Sequence, residues 1–83
     1  MLRYMLNIRL EGLDQETRMK LLPAEQEGVR TLEESGVLLA SYIKLDMSGI
    51  FMVVCGEDES DIHSKLSSLP YYPFMKIEVV PIR

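Results

Sequence analysis

The chain has 83 residues, 13 acidic and 9 basic, and a net charge of −4. That length leaves room for one domain, residues 1–83, whose core is marginal because a chain this short buries only about 60% of its unfolded surface. With one cysteine and one histidine it can form neither an internal disulfide nor a Cys/His metal centre, and without a basic cluster it is a poor partner for nucleic acid. Short apolar stretches and an N-terminus that runs straight into a patterned segment point away from a signal peptide or a membrane span. Lone Cys55 in an apolar run suits a reducing, cytoplasmic compartment.

Leu2, Tyr4, Leu6, Ile8 and Leu10 alternate with Arg3, Met5, Asn7 and Arg9, the period-two signature of a strand. Glu11-Gly12 ends it, and Asp14 can cap a helical region reaching Ser35 before a terminating Gly36. Pro23 lies inside that region, so either one helix kinks there or a second helix begins with proline at its first position. Val37–Leu45 reads as a strand, Asp46–Gly49 as a turn, and Ile50–Cys55 as a third strand. Asp58 or Ser60 can cap a short helix with the apolar stripe Ile62, Leu66 and Leu69. Pro70 stops that helix, Tyr71-Tyr72-Pro73 makes a stiff aromatic loop, and Phe74–Val80 is the last strand.

The order β-α-β-β-α-β predicts an α+β, ferredoxin-like fold, a four-stranded antiparallel sheet with two helices on one face. The third strand is apolar on both of its sides, although helices can cover only one. A sheet with one wet face should alternate, so the other face is expected to be covered by a second copy of the chain. The alternative is a central strand with a few exposed apolar side chains, which proteins tolerate.

Among residues able to do chemistry, Glu25 stands out. Leu22, Glu25, Val29 and Leu32 fall within about 80° of helical wheel, the arc that must face the sheet. A carboxyl among those neighbours is desolvated, and its pKa is expected to rise toward the range useful for general acid–base work. Alternatively Pro23 turns it outward, or Arg18, seven residues earlier on the same arc, pairs with it. His63 lies on the flank of the short helix, as a partly exposed side chain or a base. Tyr71 and Tyr72, held between prolines, either line a pocket or make a subunit contact. Arg3, Asn7 and Arg9 share one face of the first strand, and Lys76 and Glu78 one face of the last. Opposite the helices they would give a mixed polar and apolar space suited to a small ligand with one or two anionic groups, or would simply solvate exposed strands. No nucleophile elbow, phosphate-cradling glycine loop or metal-ligand spacing occurs.

The stretch from Asp61 to Ile82, with Leu66-Ser67-Ser68-Leu69-Pro70-Tyr71-Tyr72-Pro73-Phe74-Met75-Lys76-Ile77-Glu78-Val79-Val80-Pro81 at its centre, resembles the end of the muconolactone Δ-isomerase family. There a helix ending in Leu-Ser-x-Leu-Pro leads through an aromatic and a proline into a Met-x-Ile-x-Val strand. A looser match of the first helix, anchored by Leu32 and Gly36, sets Glu25 on the family's proton-transferring glutamate. The resemblance implies a ferredoxin-like subunit, sheet-to-sheet dimers (a dimeric α+β barrel), and often higher rings such as decamers. It implies no metal or organic cofactor, and an allylic proton shift on a small unsaturated lactone in the catabolism of aromatic compounds. Glu25 would be catalytic, with Tyr71, Tyr72, Phe51, His63 and Arg9 near the substrate. Two segments depart from the family. Leu38–Lys44 lacks its second-strand aromatics, His and Arg, and Ser48-Gly49-Ile50-Phe51 replaces a longer hairpin that carries tyrosine and asparagine. The family's C-terminal tail also has no counterpart after Arg83. These departures leave a second reading open, a non-catalytic protein of the same fold that binds a small molecule or acts in assembly.

Overall fold

The computed structural model describes all residues, Met1–Arg83. Strand β1 (Leu2–Leu10) leads into helix α1 (Gln15–Glu34), strands β2 (Leu38–Ile43) and β3 (Gly49–Gly56), helix α2 (Glu59–Leu66), a 3₁₀ turn over Tyr72–Phe74, and strand β4 (Met75–Ile82). The sheet order is β2-β3-β1-β4, and every pairing is antiparallel. This is the expected ferredoxin-like α+β arrangement.

The sequence sets the helix boundaries. Asp14 accepts the Thr17 N–H at 2.7 Å to cap α1, and Asp58 accepts that of Asp61 at 2.8 Å to cap α2. At the C-terminal end of α1, Gly36 takes φ +83°, a backbone region open to glycine without steric cost. Its N–H bonds Glu33 O and that of Val37 bonds Leu32 O. These are the two bonds of a Schellman stop. Pro23 does not divide the helix, because α1 runs unbroken through it. Pro23 and Met19 both lie on the exposed side, where the Met19 carbonyl left without an amide partner can be hydrated.

The alternation along β1 sorts the sheet into two faces. Tyr4, Leu6 and Ile8 are buried, opposite Val54, Met52 and Ile50 of β3. Tyr4, Leu6, Ile8, Met52 and Val54 form the core with Leu32 from α1, Leu38 from β2, Ile62 and Leu66 from α2, and Leu69 from the following loop, and Ile50 packs against it. The outer face carries Arg3, Met5, Asn7 and Arg9 beside Cys55, Val53 and Phe51, with Val80, Glu78 and Lys76 on the other flank. β3 is therefore apolar on both sides. Phe51 and Val80 remain exposed on the side the helices leave open.

β2 is shorter than the Val37–Leu45 expected from its composition. Its pairing with β3 slips between Leu38 and Ala40, an irregularity of the bulge type. Beyond Ile43 the chain turns tightly. Met47 adopts φ 64°, its N–H bonds Lys44 O at 2.9 Å, and the Asp46 carboxylate holds both the N–H and the hydroxyl of Ser48. No helix is long and apolar enough to cross a membrane.

Candidate functional site

Between α1 and the helix-side face of β2 and β3 lies a cleft of about 720 Å³, within the size range of small-molecule sites. Leu22, Glu25 and Val29 of α1 face it, the arc derived from the helical wheel, and Ser41, Ile50 and Met52 of the sheet face them. Apolar side chains dominate, and the few polar groups come from α1, Ser41 and Tyr71.

Glu25 is 6% exposed, the one charged residue of the chain that is buried. Its Oε1 accepts the backbone N–H of Tyr71 at 2.9 Å. Its Oε2 has no protein partner and is not sealed from the cleft, since the chain's only fully buried unpaired side-chain oxygen or nitrogen is Asn7 Oδ1. No cation pairs with it. Arg9 is engaged by Glu11 at 2.9 Å, and Arg18 forms no ion pair. Burial holds the Glu25 carboxyl above the ordinary glutamate range, and the Tyr71 N–H pulls it partly back.

Tyr71 ties the loop after α2 to α1 at two points. Besides its N–H on Glu25, its hydroxyl donates to the Arg18 carbonyl at 2.8 Å. Burial and the nearby Glu25 carboxylate push the phenol upward, and Arg18 opposes them. The loop can come this close because Gly28 faces it. A Cβ at Gly28 would stand 2.8 Å from Leu69 Cδ2.

Of the residues expected near the substrate beside Glu25, only Tyr71 shares its cleft, which Arg18 of α1 also lines. Arg9 and Phe51 are on the opposite face of the sheet. Arg9 lines a smaller polar hollow of about 360 Å³ with Asn7, Lys76 and Glu78, and Phe51 lies 5.0 Å beneath the Lys44 ammonium. His63 and Tyr72 form a separate pair. His63 Nδ1 and the Tyr72 hydroxyl share a hydrogen bond of 2.9 Å, with the rings edge to face. The strand parity that alternates Ile8 with Arg9 already separates the two faces, and it is the signal that assigns Arg9 away from Glu25. Gln26, Ser41 and Met19 also line the cleft. Gln26 follows Glu25 on the helix, but nothing in the spacing of β2 marked Ser41. No group of His, Cys, Asp and Glu stands together in a way that could hold a metal ion.

The fold is similar to that of muconolactone isomerase in a crystal structure at 3.3 Å resolution. The TM-score is 0.79 at 19% sequence identity, over 98% of this chain and 88% of that one. No curated protein matches the chain by sequence. The sequence profile described as muconolactone delta-isomerase matches residues 2–83, and over that span the chain belongs to the muconolactone delta-isomerase family.

Proposed function

We propose that the chain is a cofactor-independent isomerase that shifts a proton on a small unsaturated lactone, with Glu25 as both base and acid. The observation that carries this reading is the state of Glu25. It is a buried carboxyl with no cation beside it, one oxygen held by Tyr71 N–H and the other open to an apolar cleft. Oε2 removes an allylic C–H proton next to the conjugated carbonyl. The C–H electron pair moves into the π system, the double bond shifts, and negative charge collects on the carbonyl oxygen as a dienolate. The neutral acid then returns the same proton to the other end of the allyl unit, and the carbonyl re-forms. A raised carboxyl pKa suits both halves, since the acid must be strong enough to give the proton back and the base strong enough to take it. Gln26 and Ser41, on the cleft wall, supply N–H and O–H donors for the developing oxyanion.

The sheet's outer face belongs to the same proposal. Phe51 and Val80 are exposed there, and Asn7 Oδ1 is buried without a donor. A second copy packed sheet to sheet would cover the first two and offer the third a partner. Such a dimer is what family membership leads one to expect, and it relieves the small core. The lone Cys55 is compatible with a cytoplasmic setting.

One observation favours a second reading, small-molecule binding without turnover. Apart from Ser41, the sheet wall of the cleft at Ile43, Ile50 and Met52 is apolar, so donors for a dienolate are few. Incubation of an unsaturated five-membered lactone with the protein in D₂O decides between the two. Deuterium incorporation at the allylic carbons, seen by proton NMR and abolished in Glu25→Gln, is the expected result. Binding of the lactone without exchange would overturn the isomerase reading and leave the binding one.

A further inference from the structure

The loop after α2 meets α1 at three points of different kinds. Leu69 Cδ2 stands 2.8 Å from where a Cβ of Gly28 would be. The Tyr71 N–H donates to Glu25 Oε1 at 2.9 Å, and the Tyr71 hydroxyl donates to the Arg18 carbonyl at 2.8 Å. Gly28 and Arg18 are ten residues apart, about 15 Å of helix. The bond to the carboxyl therefore lies between two supports, an apolar contact on one side and a hydrogen bond on the other.

The piece of loop held in this way is stiff. Tyr71 lies between Pro70 and the 3₁₀ turn, with Tyr72 N–H on Leu69 O at 3.0 Å and Phe74 N–H on Tyr71 O at 2.9 Å. The amide and the ring of Tyr71 move together. Tyr71 is buried but stands apart from the contiguous core, which leaves its hydroxyl as the specific contact at the far end. The acceptor is well chosen. Inside a helix the Arg18 carbonyl faces the Leu22 amide, and a second lone pair remains for the phenol. Burial pushes that phenol upward, so it keeps its proton, and stays a donor, wherever a carboxyl titrates.

We infer that Tyr71 is a positioning residue for Glu25 through its hydroxyl, which makes no bond to the carboxyl and acts by holding the loop on α1. With the loop seated at Arg18, the amide stays on Oε1 and Oε2 stays turned to the cleft. For its effect on rate this rests on the proton-transfer reading; the link from hydroxyl to carboxyl does not. The other charged groups on the cleft wall, Arg18, Arg30 and Glu33, all belong to α1, and the strands contribute none. None of them moves the Glu25 carboxyl, which responds to burial and to the Tyr71 amide. A loosened amide is therefore read directly in the titration of Glu25.

Tyr71→Phe removes the hydroxyl and keeps the ring. Tyr72→Phe is its control, because the Tyr72 hydroxyl shares a 2.9 Å bond with His63 and ties the same loop to α2 instead. Carboxyl-resolved NMR should show Glu25 titrating higher in Tyr71→Phe than in the unaltered protein, and unmoved in Tyr72→Phe. Deuterium exchange into an unsaturated five-membered lactone should fall about tenfold or more in kcat in Tyr71→Phe, with KM kept within about twofold. Glu25 titrating as before in Tyr71→Phe, an equal shift in both variants, or an unchanged kcat would each overturn the assignment. A second measurement needs no variant and so survives a Tyr71→Phe chain that fails to fold. In the unaltered protein the Tyr71 hydroxyl and amide protons should exchange with solvent through one opening and be protected to the same degree. A hydroxyl proton in fast exchange beside a protected amide would overturn the assignment. A protein in which Tyr71→Phe moves Glu25, yet which exchanges no deuterium at all, would refute the isomerase reading while upholding the positioning role.

Discussion

Substituting Gly28 by alanine probes how the cleft is assembled. In an open helical position Gly→Ala stabilises by about 1 kcal/mol, since alanine loses less backbone entropy on folding. Here the new methyl would stand 2.8 Å from Leu69 Cδ2, and Leu69 is buried, so its side chain cannot swing into solvent. Forcing a methyl into packed space costs about 1–3 kcal/mol. The balance runs from no change to a loss of about 2 kcal/mol. Relief comes most easily by displacement of the Leu69–Tyr71 segment, which stretches the 2.9 Å bond from Tyr71 N–H to Glu25 Oε1. That bond is what holds the Glu25 carboxyl down against burial, so its titration should move further upward. Urea denaturation measures the stability, and carboxyl-resolved NMR follows the titration. A gain of about 1 kcal/mol with Glu25 titrating as before would refute the claim that Gly28 sets the distance between helix and loop.

Glu25→Gln should raise stability at neutral pH. Because the folded carboxyl is raised, the wild-type contribution is fully present below the unfolded-chain value of about 4.3 and is lost as pH rises through the folded value. The gain over wild type should therefore shrink to nothing in acid, and a gain independent of pH in urea melts would contradict burial as its cause. Pro23→Ala, in the middle of an unbroken helix, should stabilise by about 1–3 kcal/mol by returning an amide donor to Met19 O; thermal melts showing no gain would mean that the backbone there is already satisfied. Val53→Lys, on the outer face opposite Met5, should dissociate the proposed sheet-to-sheet dimer. Light scattering that gives a mass near 9.5 kDa for the unaltered chain at micromolar concentration would remove that dimer altogether.

Most of the architecture was legible because local and global signals agree. The alternation of β1, the caps at Asp14 and Asp58, the glycine stop at Gly36 and the apolar arc of α1 each specify an element and also the face it buries. The sequence was ambiguous where a backbone group could be satisfied in more than one way. Pro23 reads as a boundary by propensity, yet on the solvent side of α1 water can replace the lost donor and the helix continues. Lys44 and Leu45 read as strand residues by composition, but the Asp46 carboxylate binding Ser48 and the left-handed Met47 turn the chain early.

The site was legible only in part, for a geometric reason. Glu25 could be found because a helical wheel is a local property, and its burial follows from Leu22, Val29 and Leu32 around it. Its partner is a main-chain N–H that lies 46 residues along the chain, and no residue type announces such a donor. Tyr71 was singled out for its ring, yet the ring hydroxyl goes to the Arg18 carbonyl and the amide does the work on the carboxyl. Arg9 and Phe51 were set near the same substrate as Glu25 alongside the family resemblance, although strand parity turns them to the other side of the sheet. Main-chain donation also explains how the cleft keeps a carboxyl suited to the proposed proton transfer. A cation beside Glu25 would have pulled its pKa down and fixed both oxygens. A single N–H orients the carboxyl, leaves Oε2 free, and lets burial set the proton affinity.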